Sequence, residues 1–72
     1  MAEFCERMRY LKESRGYTYS DIAKNLNLQP RMIKNYVSGE SNPSYNALIA
    51  LADMFDVSLD YICGRSEIMK RR

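Results

Sequence analysis

The stretch that decides the fold is residues 18–39, which read TYSDIAKNLNLQPRMIKNYVSG. Thr18, with Asp21 three positions later, is typical of a helix N-terminus, because each side chain can bond the other's backbone N–H group. Asn27 tolerates the left-handed backbone of a tight turn. Pro30 suits the first position of a helix, where no N–H partner is needed. The stretch therefore predicts two short helices joined by a tight turn.

Residues that typically begin or end helices also occur on both sides of this stretch. All three glycines fall where a helix would end, and Ser44 and Ser58 stand where two further helices would begin. No segment alternates strictly enough for a strand. We therefore predict an all-α bundle of five helices, the first from about Ala2 to Arg15. The expected core positions are Phe4, Met8, Leu11, Ile22, Ala23, Leu26, Ile33, Tyr36, Val37, Ala47, Leu48, Leu51, Ala52, Phe55, Leu59 and Ile62.

Length and charge limit the possible functions. The 72 residues make one domain, residues 1–72, with a core at about residues 4–66 and a tail at 67–72. The net charge is +2, yet residues 7–34 carry seven basic side chains and residues 41–64 carry three acidic ones and no basic one. This distribution predicts a basic side that meets phosphate, or ordinary solvated helix charge; charge alone favours neither.

The composition offers few of the residues that carry catalysis or bind metal ions. The chain has no histidine, no Gly-rich phosphate loop, and two cysteines, Cys5 and Cys63, far apart in sequence. We therefore expect no enzyme, cofactor, metal site or small-molecule ligand. The N-terminus is no signal peptide, and the apolar residues 47–52 are too few to span a bilayer. A cytoplasmic protein with reduced thiols is the expectation.

A resemblance to a known family covers nearly the whole chain, from Arg7 to Ser66. It rests on residues 7–12, 15–18, 21–26, 33–36, 39–40, 43–44, 48–60 and 64–66, in order and at near-constant spacing. This set resembles the phage repressor and Cro-like helix-turn-helix domains, the XRE family. The resemblance implies a lambda-repressor-like fold with the motif at helices 2 and 3. It also implies a sequence-specific transcriptional regulator of repressor type.

The resemblance also implies the residues that contact DNA bases. In such domains the second helix of the motif lies in the major groove, and its early outward residues touch base edges. Arg31 suits guanine, whose O6 and N7 match its planar donors, and Asn35 suits adenine. The candidate base contacts are Gln29, Arg31, Lys34 and Asn35, with Pro30 beside them.

Phosphate contacts are expected at the start of the motif's first helix and after its second. By position these are Thr18, Tyr19, Ser38, Asn42, Ser44 and Tyr45. Hydroxyl and amide groups can fix the register on DNA without reading sequence. For the two tyrosines the alternative is packing, because a phenol ring is often half buried.

Three residues depart from the family pattern. Tyr19 stands where the family often has Gln, and Val37 stands where it often has Glu paired with a basic residue at the Lys12 position. Lys12 is therefore expected to be released toward phosphate. Pro30 replaces a polar residue near the groove and removes an N–H donor.

The expected partner is double-stranded DNA with a palindromic operator, bound by a homodimer. Tyr61, Ile68 and Met69 are the candidate dimer patch. Alternatively residues 68–72 are a frayed tail, whose Lys70, Arg71 and Arg72 attract phosphate weakly. A different functional class remains open: an antitoxin-like adaptor that keeps the fold without specific DNA binding.

Overall fold

Five helices make up the fold in the computed structural model, which describes residues 2–70. They are α1 (Ala2–Arg15), α2 (Tyr19–Leu26), α3 (Pro30–Ser38), α4 (Tyr45–Phe55) and α5 (Leu59–Ile62). None of residues 2–70 is in a strand, so the predicted all-α, five-helix fold is confirmed. Within the same residues no helix has the length and apolar character needed to cross a bilayer.

Side-chain caps fix where three of these helices begin. The Thr18 hydroxyl accepts the Asp21 backbone N–H at 3.0 Å, and the Asp21 carboxylate accepts the Thr18 N–H at 2.9 Å. This is the predicted capping box, and the bond from the Thr18 N–H lowers the pKa of the Asp21 carboxyl. Ser44 and Ser58 cap α4 and α5, each accepting the N–H three residues later, at 3.2 and 3.0 Å.

The turn between α2 and α3 has the predicted left-handed residue. Asn27 lies at φ 58° and ψ 43°, and the next N–H, of Leu28, donates to the Ala23 carbonyl at 2.9 Å. Asp56 adopts the same conformation at the end of α4, with φ 55°. That second turn was not predicted, because Asp is a less specific signal for positive φ than Gly or Asn.

The core joins all five helices. The predicted positions Leu26, Ala47, Leu48 and Leu59 are only half-buried, since they lie at its margin. Two core members, Val57 and Tyr61, were not predicted, because Val57 lies between helices and Tyr61 was assigned to the dimer patch. The buried apolar residues are Phe4, Met8, Leu11, Ile22, Ala23, Ile33, Tyr36, Val37, Leu51, Ala52, Phe55, Val57, Tyr61 and Ile62.

Helix α1 connects the motif to the rest of the fold. Its Phe4 packs edge-on against Tyr36 of α3, with ring centroids 6.3 Å apart. The Arg9 guanidinium donates to the Val37 carbonyl at 3.3 Å, and Arg15 donates to the Phe55 carbonyl at 3.3 Å. Both arginines thus lie at the C-terminal ends of other helices, where a cation offsets the negative end of the helix dipole.

Residues 67–69, after α5, are bonded to the body of the fold. The Ser58 backbone N–H donates to the Met69 carbonyl at 2.9 Å, and the Ser58 hydroxyl donates to the Ile68 carbonyl at 3.0 Å. Arg7 pairs with Glu67 at 3.1 Å. The alternative of a frayed segment is therefore wrong for residues 68 and 69. Arg71 and Arg72, expected to attract phosphate, lie outside the described residues.

Two glycines test the contact between this C-terminal region and α1. Gly16 and Gly64 both have positive φ, 72° and 82°. A Cβ at Gly16 meets nothing within 4 Å, whereas a Cβ at Gly64 would overlap the Cβ of Glu3 on α1. We expect Gly16→Ala to lower the free energy of unfolding by about 1 kcal/mol from backbone strain. Gly64→Ala should lower it by about 1–3 kcal/mol more.

Urea denaturation of the two variants and the wild-type protein measures this difference. Gly16→Ala is the matched control, because it carries the same backbone strain without the steric contact. Equal losses for both variants would contradict close packing of Gly64 on α1.

Candidate nucleic-acid interface

Helix α3 has one buried face and one exposed face. Ile33, Tyr36 and Val37 are buried, and with about 3.6 residues per turn the residues between them point away from the core. On that side Arg31 and Lys34 are exposed and Asn35 is half-buried. We call Arg31, Met32, Lys34 and Asn35 the outer face of α3. Three of the four predicted base-contacting residues therefore lie together on this face.

The fourth, Gln29, is the residue before α3. It occupies the N-cap position, with extended backbone at φ −81° and ψ 144°, yet its side chain makes no capping hydrogen bond. Pro30 follows at the first helical position, where its missing N–H needs no partner. The amide of Gln29 is exposed and is not used to cap the helix, so both its donor and its acceptor can serve a ligand.

The side chains of Lys12 and Tyr19 contact each other beside the start of α2. The Lys12 Nζ lies 4.5 Å from the centroid of the Tyr19 ring, a cation–π distance. The expectation that Val37 releases Lys12 needs correction: the ammonium group rests on the ring at the first residue of α2. The contact places a positive charge over the ring of Tyr19.

The hydroxyl groups predicted to contact phosphate differ in whether their proton is already donated to another group in the protein. Thr18 and Ser44 act as acceptors in their caps, which leaves the hydroxyl proton of each side chain for donation. Ser38 instead donates its hydroxyl proton to the Asn35 carbonyl at 3.1 Å. A phosphate contact by Ser38 would require this proton to leave the Asn35 carbonyl, which the backbone N–H groups of Gly39 and Glu40 also bond.

The other two predicted phosphate contacts are at the surface after α3. Asn42 is exposed in the loop. Tyr45 is the first residue of α4, and 70% of its surface is exposed. This exposure contradicts the packing alternative for Tyr45, whereas the half-buried Tyr19 combines packing with an accessible edge.

Only part of the predicted dimer patch is exposed to solvent. Ile68 is 62% exposed, but Tyr61 is 5% exposed. The Arg7 guanidinium covers the Tyr61 ring at 4.2 Å. Tyr61 therefore belongs to the core and is not available to a partner. Met69 is half-buried, with its sulfur 3.8 Å from the Arg15 guanidinium.

The surroundings of the Cys63 thiol do not favour nucleophilic chemistry. Partial burial, with the nearby Asp60 carboxylate, raises the pKa of the Cys63 thiol, so the thiolate needed for a nucleophile is disfavoured. Across residues 2–70 no group of three His, Cys, Asp or Glu side chains is placed to hold a metal ion.

One residue of the outer face was not predicted. Met32 is 37% exposed, although the three other large apolar residues of α3 are buried. The sequence carries no clear signal for this exposure, because Met32 precedes the buried Tyr36 by four residues, a spacing that favours one shared helix face. Because Met32 directly precedes Ile33, the two residues form one apolar run in the sequence.

Residues 8–62 match the sequence model of the helix-turn-helix family. The chain is 29% identical over 66 residues to the HTH-type transcriptional regulator ImmR of Bacillus subtilis, covering 92% of this chain and 52% of ImmR. It is 30% identical over 60 residues to the cryptic phage CTXphi transcriptional repressor RstR of Vibrio cholerae, covering 83% of this chain and 54% of RstR. The chain thus spans about half the length of the curated relatives that it matches.

A solved structure agrees with the sequence comparisons. The crystal structure of a transcriptional regulator from Listeria innocua superimposes with a TM-score of 0.83 at 35% identity, covering 96% of this chain and 64% of that one. The relatives are named as transcriptional regulators and not as enzymes. The chain belongs to the helix-turn-helix family, of the phage-repressor and Cro-like (XRE) type that its sequence resembles.

Proposed function

We propose that this protein is a sequence-specific DNA-binding transcriptional regulator of repressor type that reads the major groove with α3. The observation that carries the proposal is the division of α3 into two faces. Its apolar face is buried, with Ile33 at 0% exposure, while Arg31 and Lys34 are exposed. Such a helix can enter the groove without disturbing the core, since the side chains that would touch bases do not hold the fold together.

Base recognition rests on the chemistry of the exposed groups at and before the start of α3. Arg31 has the planar donors that pair with guanine O6 and N7. Asn35 and the uncommitted amide of Gln29 carry the donor and acceptor pair that matches adenine. Lys34 supplies a cation that reaches guanine or the nearby backbone. These residues are the proposed readers of sequence.

Phosphate recognition rests on the two capped helices that flank α3. The N-termini of α2 and α4 each carry the positive end of a helix dipole and a cap hydroxyl with a donatable proton, at Thr18 and Ser44. Tyr19, with Lys12 over its ring, lies next to the first cap, and Tyr45 lies next to the second. Asn42 adds an exposed amide. Contacts on both sides of α3 would fix the helix in register.

We propose that residues 1–72 act as one cytoplasmic DNA-binding domain, in a homodimer on a palindromic operator. One copy of α3 contacts only a few base pairs, so two copies on half-sites about one helical turn, or ~34 Å, apart supply the needed specificity. The exposed Ile68 and the half-buried Met69 are the proposed dimer contacts.

A DNA-binding titration across salt concentrations tests the proposal. Phosphate contacts release counterions, so log K should fall linearly with log salt, by on the order of a thousandfold between about 50 and 200 mM for about six contacts. Selection of bound oligonucleotides from a random pool then reports the preferred sequence and its symmetry. Absence of DNA binding at low ionic strength would overturn the proposal and favour the adaptor alternative.

Arg31→Ala tests base reading. We expect it to weaken binding to the selected site by about 1–3 kcal/mol and to relax the preference at one base pair, because a bidentate contact is lost. Repeating the oligonucleotide selection with the variant measures the preference. Lys24→Ala is the control, since Lys24 is an exposed cation on α2 outside the outer face of α3. A loss that is uniform over all sequences would refute base reading by Arg31.

Tyr19→Phe tests the phosphate contact. The variant keeps the aromatic ring beneath Lys12 but removes the hydroxyl, so we expect weaker binding with an unchanged consensus sequence. Affinity for the selected site and for random DNA should fall by the same factor. A changed consensus would count against a phosphate role for Tyr19.

A further inference from the structure

An apolar side chain stands among the polar residues of the outer face of α3. Met32 is 37% exposed, whereas Ile33, Tyr36 and Val37 of the same helix are at most 8% exposed. Its backbone N–H donates to the Gln29 carbonyl at 3.0 Å, which places Met32 in the first turn of α3. The fold therefore leaves a large apolar side chain partly in water at this position.

The position of Met32 relative to the proposed base readers is fixed by the helix. Met32 follows Arg31 directly and precedes Asn35 by three residues, a spacing that brings two side chains onto neighbouring parts of a helix surface. A single exposed apolar residue is ordinary elsewhere on a protein. Here it lies in the part of α3 where side chains meet base edges, so its apolar surface would leave water when DNA binds.

We infer, on the basis of the proposed function, that Met32 is a specificity residue that reads the 5-methyl group of thymine. Among the four base-pair edges of the major groove, the thymine methyl is the apolar feature, and apolar side chains recognise it by contact. The unbranched thioether of Met adapts its shape to such a contact. The selected operator should therefore contain a thymine beside the base pair that Arg31 reads.

Replacement of thymine by deoxyuridine tests this role, because it removes only the methyl group. In the selected oligonucleotide each thymine is replaced singly, and the affinity of the full chain is measured at fixed low salt. We expect one position per half-site at which replacement weakens wild-type binding about fourfold, the effect of burying roughly one methyl-sized group.

Two variants connect this effect to Met32. In Met32→Ala the ratio of thymine to deoxyuridine affinity at that position should fall from about four to about one. Lys34→Ala is the matched control: it should bind more weakly overall yet keep the ratio near four, because its loss is electrostatic. Met32→Leu should keep most of the discrimination, so a general effect of substituting this residue can be distinguished from loss of its apolar surface.

Three results would overturn the inference: a selected site with no thymine beneath α3, equal affinities for thymine and deoxyuridine at every position, or an unchanged ratio in Met32→Ala. Each of these can occur in a protein that binds DNA specifically, and would leave the proposed function intact. Failure to bind DNA at low salt would instead overturn both the proposed function and the role of Met32.

Discussion

Burial of Ile33 is the constraint on which the rest of the structure depends. This side chain is 0% exposed, and together with Tyr36 and Val37 it determines which way α3 is rotated about its axis. Because a helix is rigid, burying one stripe necessarily presents the opposite stripe to solvent. The guanidinium of Arg31 and the ammonium of Lys34 are therefore directed outward by an apolar contact on the other side of the same helix.

Helix α1 holds that arrangement in place with charged as well as apolar contacts. Arg9 and Arg15 bond the terminal carbonyls of α3 and α4, and Arg7 covers the Tyr61 ring and pairs with Glu67. These cations stabilise helix ends and a C-terminal segment rather than a common basic face. The charges of Arg7, Arg9 and Arg15 therefore serve contacts within the fold, whereas Arg31 and Lys34 are exposed on the outer face of α3.

The hydroxyl groups that cap α2 and α4 can serve both helix stability and the proposed DNA binding. A hydroxyl that caps a helix accepts one N–H and keeps one proton, so Thr18 and Ser44 can stabilise α2 and α4 and still donate to a phosphate. Ser38 lies at a helix C-terminus, where its hydroxyl donates to the Asn35 carbonyl and so uses its one hydroxyl hydrogen. Identical residue types thus acquire different roles according to the helix end at which they lie.

The sequence by itself determined the five helices, the capping box, the left-handed turn at Asn27 and the buried stripe of α3, because each depends on residues a few positions apart. It also indicated that Arg31, Lys34 and Asn35 lie away from that stripe. Only the tertiary structure decided the burial of Tyr61 and the position of the Lys12 ammonium over the Tyr19 ring. It also decided the packing of residues 67–69 and the exposure of Met32. These depend on contacts between distant segments, whose relative placement is set by packing and not by local periodicity.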